Sequence, residues 1–288
     1  MPGQTVGTMD EHVARSKKNK LVEHLRELDS LLVAFSGGVD STFLLSVAQQ
    51  ILGKNVLAVT ASSLVHPVQE TENAQNFTRR QGIRHTIIHT DELNRPEFVS
   101  NTAERCYHCK RYLLEILCQI ASKEGIKHVA HGANIDDLND FRPGFRAAGE
   151  LGVVAPLIDV RLGKEEIRFL SKEMGLGTWD NPAMACLASR IPYGDLITQK
   201  NLTMVAEAEK FLAQSGFKQF RVRCHGTLAR IEVLPPDLRK ITEELMREKL
   251  VEKFRQIGFL HVSVDLEGYK TGSLNRALTE VVKRGKYK

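Results

Sequence analysis

The feature that most constrains the fold is a glycine-containing loop between a predicted strand and a predicted helix. The apolar run at residues 31–35 predicts a buried strand, and a helix is predicted from about residue 41 to residue 52. The loop between them reads Ser36-Gly37-Gly38-Val39-Asp40-Ser41-Thr42. In this setting backbone N–H groups converge at the positive end of the helix, so the loop is expected to bind a phosphate.

The residue types in the loop fit that role. Gly37 and Gly38 let the backbone turn tightly and approach a phosphate without a Cβ in the way, and the hydroxyls of Ser36, Ser41 and Thr42 add donors. The plainer alternative, a glycine pair that only makes a turn, is disfavoured by the whole segment and its strand-to-helix setting. Because the loop has no Walker lysine and no dinucleotide fingerprint, kinase and NAD-dehydrogenase functions are excluded.

Alternating strands and helices predict an α/β fold with a doubly wound parallel sheet. Further strands are expected at 55–61, 85–90 and 128–132, with helices at 67–81 and 109–124. Right-handed crossovers then place ligands at the carboxyl ends of the strands, where the glycine loop lies.

The domain organisation follows from length and from a change of pattern after Asn181-Pro182. A chain of 288 residues is long enough for a main domain and a smaller one. The expected division is a flexible tail at 1–16, a nucleotide-binding domain at 17–194 and a smaller C-terminal α+β domain at 195–288 for substrate binding and oligomerisation.

Composition narrows the class of partner. The chain has no apolar run long enough to cross a bilayer and no apolar N-terminal signal segment, so a cytoplasmic protein without membrane contact is expected. The formal net charge of +5 is mild and no long basic block appears, so an anionic small molecule is expected and nucleic acid is not. Five cysteines in such a protein favour metal, redox or nucleophilic roles over disulfides.

Three further segments bear a family resemblance. They read Arg105-Cys106-Tyr107-His108-Cys109-Lys110, Gly132-Ala133-Asn134-Ile135-Asp136-Asp137-Leu138-Asn139-Asp140-Phe141-Arg142-Pro143-Gly144 and Cys186-Leu187-Ala188-Ser189-Arg190-Ile191-Pro192-Tyr193-Gly194. The glycine loop resembles that of the PP-loop ATP pyrophosphatases, which hold the pyrophosphate of ATP. The whole combination, from about residue 17 onwards, resembles the LarE family of ATP-dependent sulfurtransferases, which make the pyridinium bis-thiocarboxylate mononucleotide precursor of the nickel-pincer cofactor.

The resemblance implies a reaction with ATP and Mg²⁺ as cofactors. A carboxylate of the mononucleotide substrate is adenylated, and a sulfur nucleophile then displaces AMP to give a thiocarboxylate. Cys186 matches the sulfur-donor position, and the nearby Arg190 is expected to stabilise a thiolate or the acyl phosphate. Asp40 matches a position that helps to hold magnesium, although an aspartate there also serves the helix dipole.

Two sulfur sources are compatible with the cysteines. Either Cys186 gives up its own sulfur and becomes dehydroalanine, or Cys106, Cys109 and Cys186 hold a 4Fe–4S cluster with one iron open for an exchangeable sulfide. The three cysteines favour the cluster. A structural zinc site that includes His108, or a redox pair, is the alternative. Cys118 and Cys224 are interpreted as small core residues.

Other candidate ligands lie in the predicted strands and loops. The resemblance assigns the phosphate of the mononucleotide to Arg221 and Arg223, which alternate along one strand, although a solvated strand face explains them equally. Asp137, Asp140 and Arg142 follow a predicted strand, where they would meet magnesium and phosphate; a polar turn is the alternative. Glu209 matches a metal-linked acidic position.

Three competing functions remain open at this point. A tRNA-thiolating enzyme would normally bring a second cysteine pair or an RNA-binding appendage, and an amidating synthetase would not need three cysteines. A nucleotide-binding protein without catalysis would release no pyrophosphate. The resemblance also implies assembly into a homo-oligomer.

Overall fold

The computed structural model of the chain describes residues 9–139, 142–182 and 185–278. These residues form two units. The first comprises residues 9–62, 68–89, 110–139 and 142–182, and the second comprises 63–67, 90–109 and 185–278.

A four-stranded parallel sheet organises the first unit. Its strands are β1 (Leu31–Ala34), β2 (Val56–Ser62), β3 (Arg84–His89) and β4 (His128–His131), in the order β3-β2-β1-β4. Leu31 of β1 lies opposite Val56 on one side and His128 on the other. The predicted α/β class and parallel sheet are therefore confirmed.

Both faces of the sheet are covered, which explains why β1 is apolar throughout. The helices of this unit are α1 (Glu11–Arg26), α2 (Val39–Leu52), α3 (Val68–Gln81), α6 (Gly144–Glu150), α7 (Pro156–Asp159), α8 (Lys164–Glu173) and most of α5 (Arg105–Lys123). Alternate β1 side chains point to opposite faces. Leu31 and Val33 join the core formed with α1, α2 and α8, whereas Leu32 packs in a separate core with Leu114 of α5.

The strand order places a crevice beside β1. From β1 the chain adds β2 and β3 on one side and then β4 on the other, so the order reverses between β1 and β4. In open α/β sheets ligands bind outside the carboxyl ends of the strands at such a reversal. The glycine loop after β1 and Gly132 after β4 both lie there.

A smaller sheet organises the second unit. Strands β5 (Phe220–His225) and β6 (Leu228–Val233) are antiparallel, and β7 (His261–Val264) runs parallel to β6. The helices of this unit are α4 (Pro96–Val99), α9 (Gln199–Gln214), α10 (Leu238–Thr242) and α11 (Glu244–Ile257). Val222, Ile231, Leu212 and Phe254 are fully buried in its core. The predicted α+β character of the C-terminal part is confirmed.

Two boundaries differ from the prediction. The first helix begins at Glu11, where the Asp10 carboxylate accepts hydrogen bonds from the backbone of His12 and Val13, so residues 11–16 are helical and not a flexible tail. The predicted border at 194/195 is also not where the units divide. Val65 and Phe98, each 1% exposed, are buried in the core of the second unit. The segments 63–67 and 90–109 therefore belong to that unit.

Candidate functional site

The glycine loop is held in shape by its own hydroxyl groups. Ser36 Oγ and Ser41 Oγ are 3.0 Å apart, and the amide of Gly38 donates to Ser36 Oγ at 3.3 Å. Gly37 has a φ of 73°, a left-handed conformation that favours glycine. Among the residues that the structure describes, no side chain caps the N-terminus of α2, so the first amides of this helix are available to an anion.

The end of β4 supports the loop from the neighbouring strand. A Cβ on Gly132 would lie 2.8 Å from the backbone nitrogen of Ser41 and 2.9 Å from its Cα. Only a glycine lets β4 approach the loop this closely. The backbone of the loop is therefore fixed by packing as well as by hydrogen bonds.

Two polar atoms of the loop are buried without a hydrogen-bond partner among the described residues. They are Asp40 Oδ1 and Thr42 Oγ1, and Thr42 is fully buried. Buried unpartnered polar atoms are rare in folded proteins and each calls for an explanation. Here they lie in the segment that the sequence assigns to phosphate and magnesium, and a ligand would reach them only after a local rearrangement that exposes them.

Lys164 is a candidate site residue that the sequence analysis did not identify. Its Nζ lies 2.5 Å from Asp40 Oδ2, although 124 positions separate the two residues. Lys164 opens α8, where the helix dipole disfavours a positive charge, and that misplaced charge was the only signal in the sequence. The geometry places a cation directly beside the glycine loop.

The acidic segment after β4 adds a second carboxylate. Asp137 Oδ1 lies 2.9 Å from the Arg142 guanidinium, and Asp137 Oδ2 accepts from the amide of Asn134 at 3.0 Å. Burial raises the pKa of Asp137, and the negative charge of Asp40 also raises it. Asp136 instead accepts from the amide of Lys164, and Asp140 lies outside the described residues.

Asp40 and Asp137 are compatible with magnesium. No group of three or more His, Cys, Asp or Glu side chains that would hold a metal ion is found in residues 9–139, 142–182 and 185–278. Mg²⁺ in nucleotide sites is usually held by one or two carboxylates together with substrate phosphates. Two interacting carboxylates, one with an unpartnered oxygen, fit that pattern.

Cys186 opens a tight turn in the second unit. The residues Leu187–Arg190 form one turn of 3-10 helix, and Ser189 Oγ donates to the Cys186 carbonyl at 2.8 Å. The Arg190 guanidinium donates to the carbonyls of Ala185 at 2.6 Å and Cys186 at 3.0 Å. Its other donors form a bidentate pair with Glu209 at 2.8 and 2.9 Å. Arg190 therefore fixes the position of Cys186.

Glu209 is a structural partner in this arrangement. Besides Arg190, its carboxylate accepts from the amide of Val222 at 3.0 Å, which joins α9 to β5. These contacts with Arg190 and Val222 account for the acidic residue at position 209, and no metal ion is needed to explain it.

The three cysteines of the predicted triad all belong to the second unit. Cys106 and Cys109 lie three residues apart near the start of α5, on one side of the helix, and Cys109 and Cys186 pack against the same core. Burial raises the pKa of the Cys186 thiol; the positive charges of Arg105 and Arg190 act to lower it, and Cys106 to raise it.

Arg105 links the triad to the rest of the second unit. This side chain is only 2% exposed, and its guanidinium donates to Asn101 Oδ1 at 2.6 Å and to the Ala188 carbonyl at 3.0 Å. It also lies 3.6 Å from Cys106 Sγ and over the ring of Tyr193. The segments of Cys106 and Cys186 are thus tied together by one buried cation.

Arg221 and Arg223 project from one face of β5, but they have different neighbours. Arg223 forms a bidentate pair with Glu232 at 2.9 and 2.8 Å and donates to the Ser189 carbonyl at 2.8 Å. Arg221 is half-buried, and its guanidinium lies over the ring of Tyr269. Burial lowers the pKa of Arg221, and repulsion from Arg190 lowers it further. A bound anion would offset that repulsion.

The other two cysteines lie in apolar surroundings. Cys224 is 1% exposed and donates to the Gly226 carbonyl, and burial raises the pKa of its thiol to about 11. Cys118 packs against the core beside α5, and burial raises its pKa too. Both thiols are protonated near neutral pH and are poor nucleophiles.

Comparison with known proteins decides the family. The family described as PP-loop domain matches residues 9–140. The pyridinium-3,5-bisthiocarboxylic acid mononucleotide synthase of Lactiplantibacillus plantarum is 35% identical, over 92% of this chain and 96% of that protein. The chain belongs to the LarE family. It is accordingly an enzyme with a PP-loop domain for ATP.

Other relatives match over a similar span. An uncharacterised protein of Synechocystis is 43% identical over 92% of this chain and 99% of its own length, and one from Methanocaldococcus jannaschii is 31% identical over 88% and 96%. The LarE likeness therefore includes the second unit as well as the PP-loop. Across the described residues, no helix is both long enough and apolar enough to span a membrane.

Proposed function

We propose that the chain is an ATP-dependent sulfurtransferase that adenylates the carboxylates of pyridinium-3,5-biscarboxylic acid mononucleotide and converts them to thiocarboxylates. The product would serve the nickel-pincer cofactor of lactate racemase. The observation that carries this proposal is the presence, in one LarE-family chain, of an uncapped phosphate loop with unpartnered Asp40 and Thr42 atoms and of a Cys186 turn fixed by Arg190.

The first step is adenylation. A substrate carboxylate oxygen attacks the α-phosphorus of ATP, and pyrophosphate leaves with the bond electrons. The amides at the start of α2 and the Lys164 ammonium stabilise the phosphate charge, and Gly132 keeps the loop backbone in place. Mg²⁺ held by Asp40 and Asp137 would supply further neutralisation of the phosphate charge.

The second step replaces AMP by sulfur. A carboxylate becomes electrophilic only when its oxygen is part of a good leaving group, and the acyl adenylate provides this. A sulfur nucleophile forms a bond to the carbonyl carbon, and AMP leaves with the former carboxylate oxygen. Arg190 and Arg105 orient the Cys186 turn for this step.

An iron–sulfur cluster is the first proposed sulfur source, and its binding would require Cys106, Cys109 and Cys186 to come together, because the described residues contain no group of three His, Cys, Asp or Glu side chains arranged to hold a metal ion. A 4Fe–4S cluster held by Cys106, Cys109 and Cys186 would supply an exchangeable sulfide at its remaining iron. Three thiol ligands in one unit, with the cations Arg105 and Arg190 near Cys186, favour this sulfur source, because positive charge offsets the negative charge of the cluster and its thiolates.

The second proposed sulfur source is Cys186 itself. Burial raises the pKa of this thiol, and the charges of Arg105 and Arg190 act against that rise; once deprotonated, the thiolate would attack the acyl adenylate directly. The resulting thioester would lose its Cα proton and its Cβ–S bond would break. The sulfur then leaves as the thiocarboxylate, and dehydroalanine remains in the chain.

The phosphate of the mononucleotide would bind beside Arg221. Arg190 and Arg223 are each paired with a glutamate. Burial lowers the pKa of Arg221 and repulsion from Arg190 lowers it further, and an anion bound there would offset that repulsion. We place the enzyme in the cytoplasm as a homo-oligomer; light scattering on the purified protein checks the assembly.

The sulfur source is tested by anaerobic reconstitution with iron and sulfide, followed by iron and acid-labile sulfide analysis. Wild type is expected to bind about four irons per chain, and Cys106→Ala, Cys109→Ala and Cys186→Ala to lose them. Cys118→Ala, in an apolar environment elsewhere, is the matched control and keeps the iron. Iron-free wild type that still transfers sulfur once per chain would establish Cys186 as the donor.

Adenylation is tested separately by pyrophosphate release. Wild type is expected to release pyrophosphate only when both ATP and the mononucleotide are present, and Cys186→Ala is expected to retain this partial reaction. Release that depends on ammonia, or no release at all, would contradict the proposed function.

A further inference from the structure

A segment after the last strand lies along the second sheet. We call residues 265–275 the C-terminal strap. The amide of Asp265 donates to the Ile231 carbonyl at 2.8 Å, and the amide of Tyr269 donates to the Val233 carbonyl at 2.7 Å. Gly268 has a φ of 70°, and a Cβ there would lie 2.7 Å from the Val233 carbonyl oxygen. The strap is therefore built to lie close against β6.

Two strap side chains contact the arginines of β5. The Tyr269 ring lies under the Arg221 guanidinium, with 5.1 Å from the guanidinium carbon to the ring centroid. Ser273 Oγ accepts from Arg223 at 2.8 Å and lies 3.5 Å from both carboxylate oxygens of Glu232. The strap thus contacts both arginines to which the family resemblance assigns the phosphate of the substrate.

A third contact joins the strap to the region of Cys186. The Tyr193 hydroxyl donates a hydrogen bond to Asn275 Oδ1 at 3.3 Å. The centroid of the Tyr193 ring lies 5.4 Å from the Arg105 guanidinium carbon. Arg105 in turn donates to the Ala188 carbonyl in the turn that Cys186 opens. One short segment therefore lies against the predicted phosphate ligands and the residues that support the sulfur site.

We propose that Tyr269 and Ser273 are positioning residues of the mononucleotide site, and that Tyr269 holds the Arg221 guanidinium ready for the phosphate. This inference rests on the proposed function. Arginine loses considerable side-chain freedom when it binds a ligand, and an aromatic face that already orients the guanidinium reduces that loss. Ser273 fixes the strap through Arg223 and Glu232, so that the ring stays under Arg221.

The face of the ring, and not its hydroxyl, is the group that acts on Arg221. A cation over an aromatic ring is attracted by the negative π-face, which phenylalanine keeps and leucine lacks. Tyr269→Phe and Tyr269→Leu therefore separate the cation–π contact from simple loss of the hydroxyl. Trp179→Leu is the matched control, because Lys172 lies 4.7 Å from the Trp179 ring centroid in the first unit.

The experiment is calorimetric titration of the full-length protein with nicotinic acid mononucleotide, a pyridine mononucleotide with a carboxylate and a phosphate. We expect Tyr269→Phe to bind like wild type, Tyr269→Leu to bind roughly tenfold more weakly and Arg221→Met to lose most binding. Ser273→Ala, a smaller change, is expected to weaken binding in the same direction. Trp179→Leu is expected to bind like wild type. The KM for ATP should not change in the Tyr269 or Ser273 variants.

The outcomes distinguish the proposed phosphate site at Arg221 from the proposed role of the strap. If Arg221→Met binds like wild type, the proposed phosphate site is wrong. If Arg221→Met loses binding while Tyr269→Leu and Ser273→Ala do not, the site stands and the role of the strap is overturned. Equal weakening in Tyr269→Phe and Tyr269→Leu would also overturn it, because the ring face would then be irrelevant.

Discussion

At the scale of single residues, the site is defined by charges whose partners are far away in the sequence. Lys164 pairs with one oxygen of Asp40, while the other oxygen is buried and has no hydrogen-bond partner in the described part of the chain. Arg190 donates hydrogen bonds to the turn that Cys186 opens and to Glu209. Neither role follows from sequence spacing, because a helical or strand period relates only near neighbours.

Removing the Lys164 ammonium tests its role at the phosphate loop. Lys164→Met is expected to lower kcat/KM for pyrophosphate release by roughly 30-fold, since a hydrogen bond to a charged group contributes about 2 kcal/mol. Lys172→Met, on the same helix but over Trp179, is the control and should behave like wild type. Equal kcat/KM values in the two variants would contradict a role for Lys164 at the phosphate loop.

The Arg190–Glu209 pair is expected to stabilise the second unit. Arg190→Lys breaks a bidentate pair whose side chains are 4% and 12% exposed, and we expect it to lower the free energy of unfolding by about 3 kcal/mol. Arg84→Lys breaks a pair with Glu124 that is 49% and 43% exposed, and should cost less than about 1 kcal/mol. Urea denaturation measures both, and a similar small loss in each would contradict the role assigned to Arg190.

At the scale of elements, the phosphate loop depends on two strands. The loop leaves β1, and its backbone is contacted by Gly132 at the end of β4. The parallel pairing of β1 with β4 is what brings Gly132 to Ser41. A substitution at the end of β4 should therefore slow the reaction of ATP by displacing the loop.

Gly132→Ala tests this dependence. A Cβ at 2.8 Å from the Ser41 nitrogen must displace the loop, and we expect pyrophosphate release to fall by roughly tenfold or more. Gly149→Ala is the matched control, because Gly149 lies in α6 and a Cβ there meets nothing within 4 Å. It should keep full activity and be slightly more stable. Normal activity of Gly132→Ala would disprove the packing argument.

The elements also show what a sequence can predict. The strands of the first sheet were predictable because buried parallel strands are short apolar runs between helical patterns, as in Leu31–Ala34. The start of α1 was not, since the residues after Asp10 are polar and only Ala14 marks the buried face there. Cross-strand register also escaped prediction: Arg223 lies opposite Arg230, and both reach Glu232.

The candidate site was predictable in part for similar reasons. The glycine loop and the cysteine segments are local motifs, so their residues could be named from sequence alone. The roles of Lys164, Arg105 and Tyr269 could not be predicted, because each depends on a contact made by tertiary structure. Whether Arg223 binds a ligand or an internal carboxylate also depends on burial, and Arg223 is only 6% exposed.

At the scale of the whole molecule, buried histidines are expected to make stability depend on pH. Burial lowers the pKa of His131 to about 3, and the Lys110 charge contributes. Below its ordinary pKa of 6.5 this histidine takes up a proton when unfolded but not when folded, so stability falls as the pH drops from 6.5 towards 3.

The size of this effect can be measured with one variant. Because of His131, the free energy of unfolding of the wild type should fall by about 2 kcal/mol between pH 7 and pH 5. His131→Asn should lose less over the same interval, whatever its stability at pH 7, since His66, His85 and His225 remain in both proteins. Urea denaturation at the two pH values gives the difference, and identical losses would contradict the buried neutral state of His131.

The proposed function requires the enzyme to make a thiocarboxylate in an ATP-dependent reaction that needs Cys186. The most direct measurement is mass spectrometry of the small-molecule product after anaerobic incubation of reconstituted protein with ATP, Mg²⁺ and pyridinium-3,5-biscarboxylic acid mononucleotide. The account predicts a mass change that corresponds to oxygen replaced by sulfur, absent with Cys186→Ala. Pyrophosphate release with a product that contains no sulfur, or sulfur transfer that persists in Cys186→Ala, would contradict it.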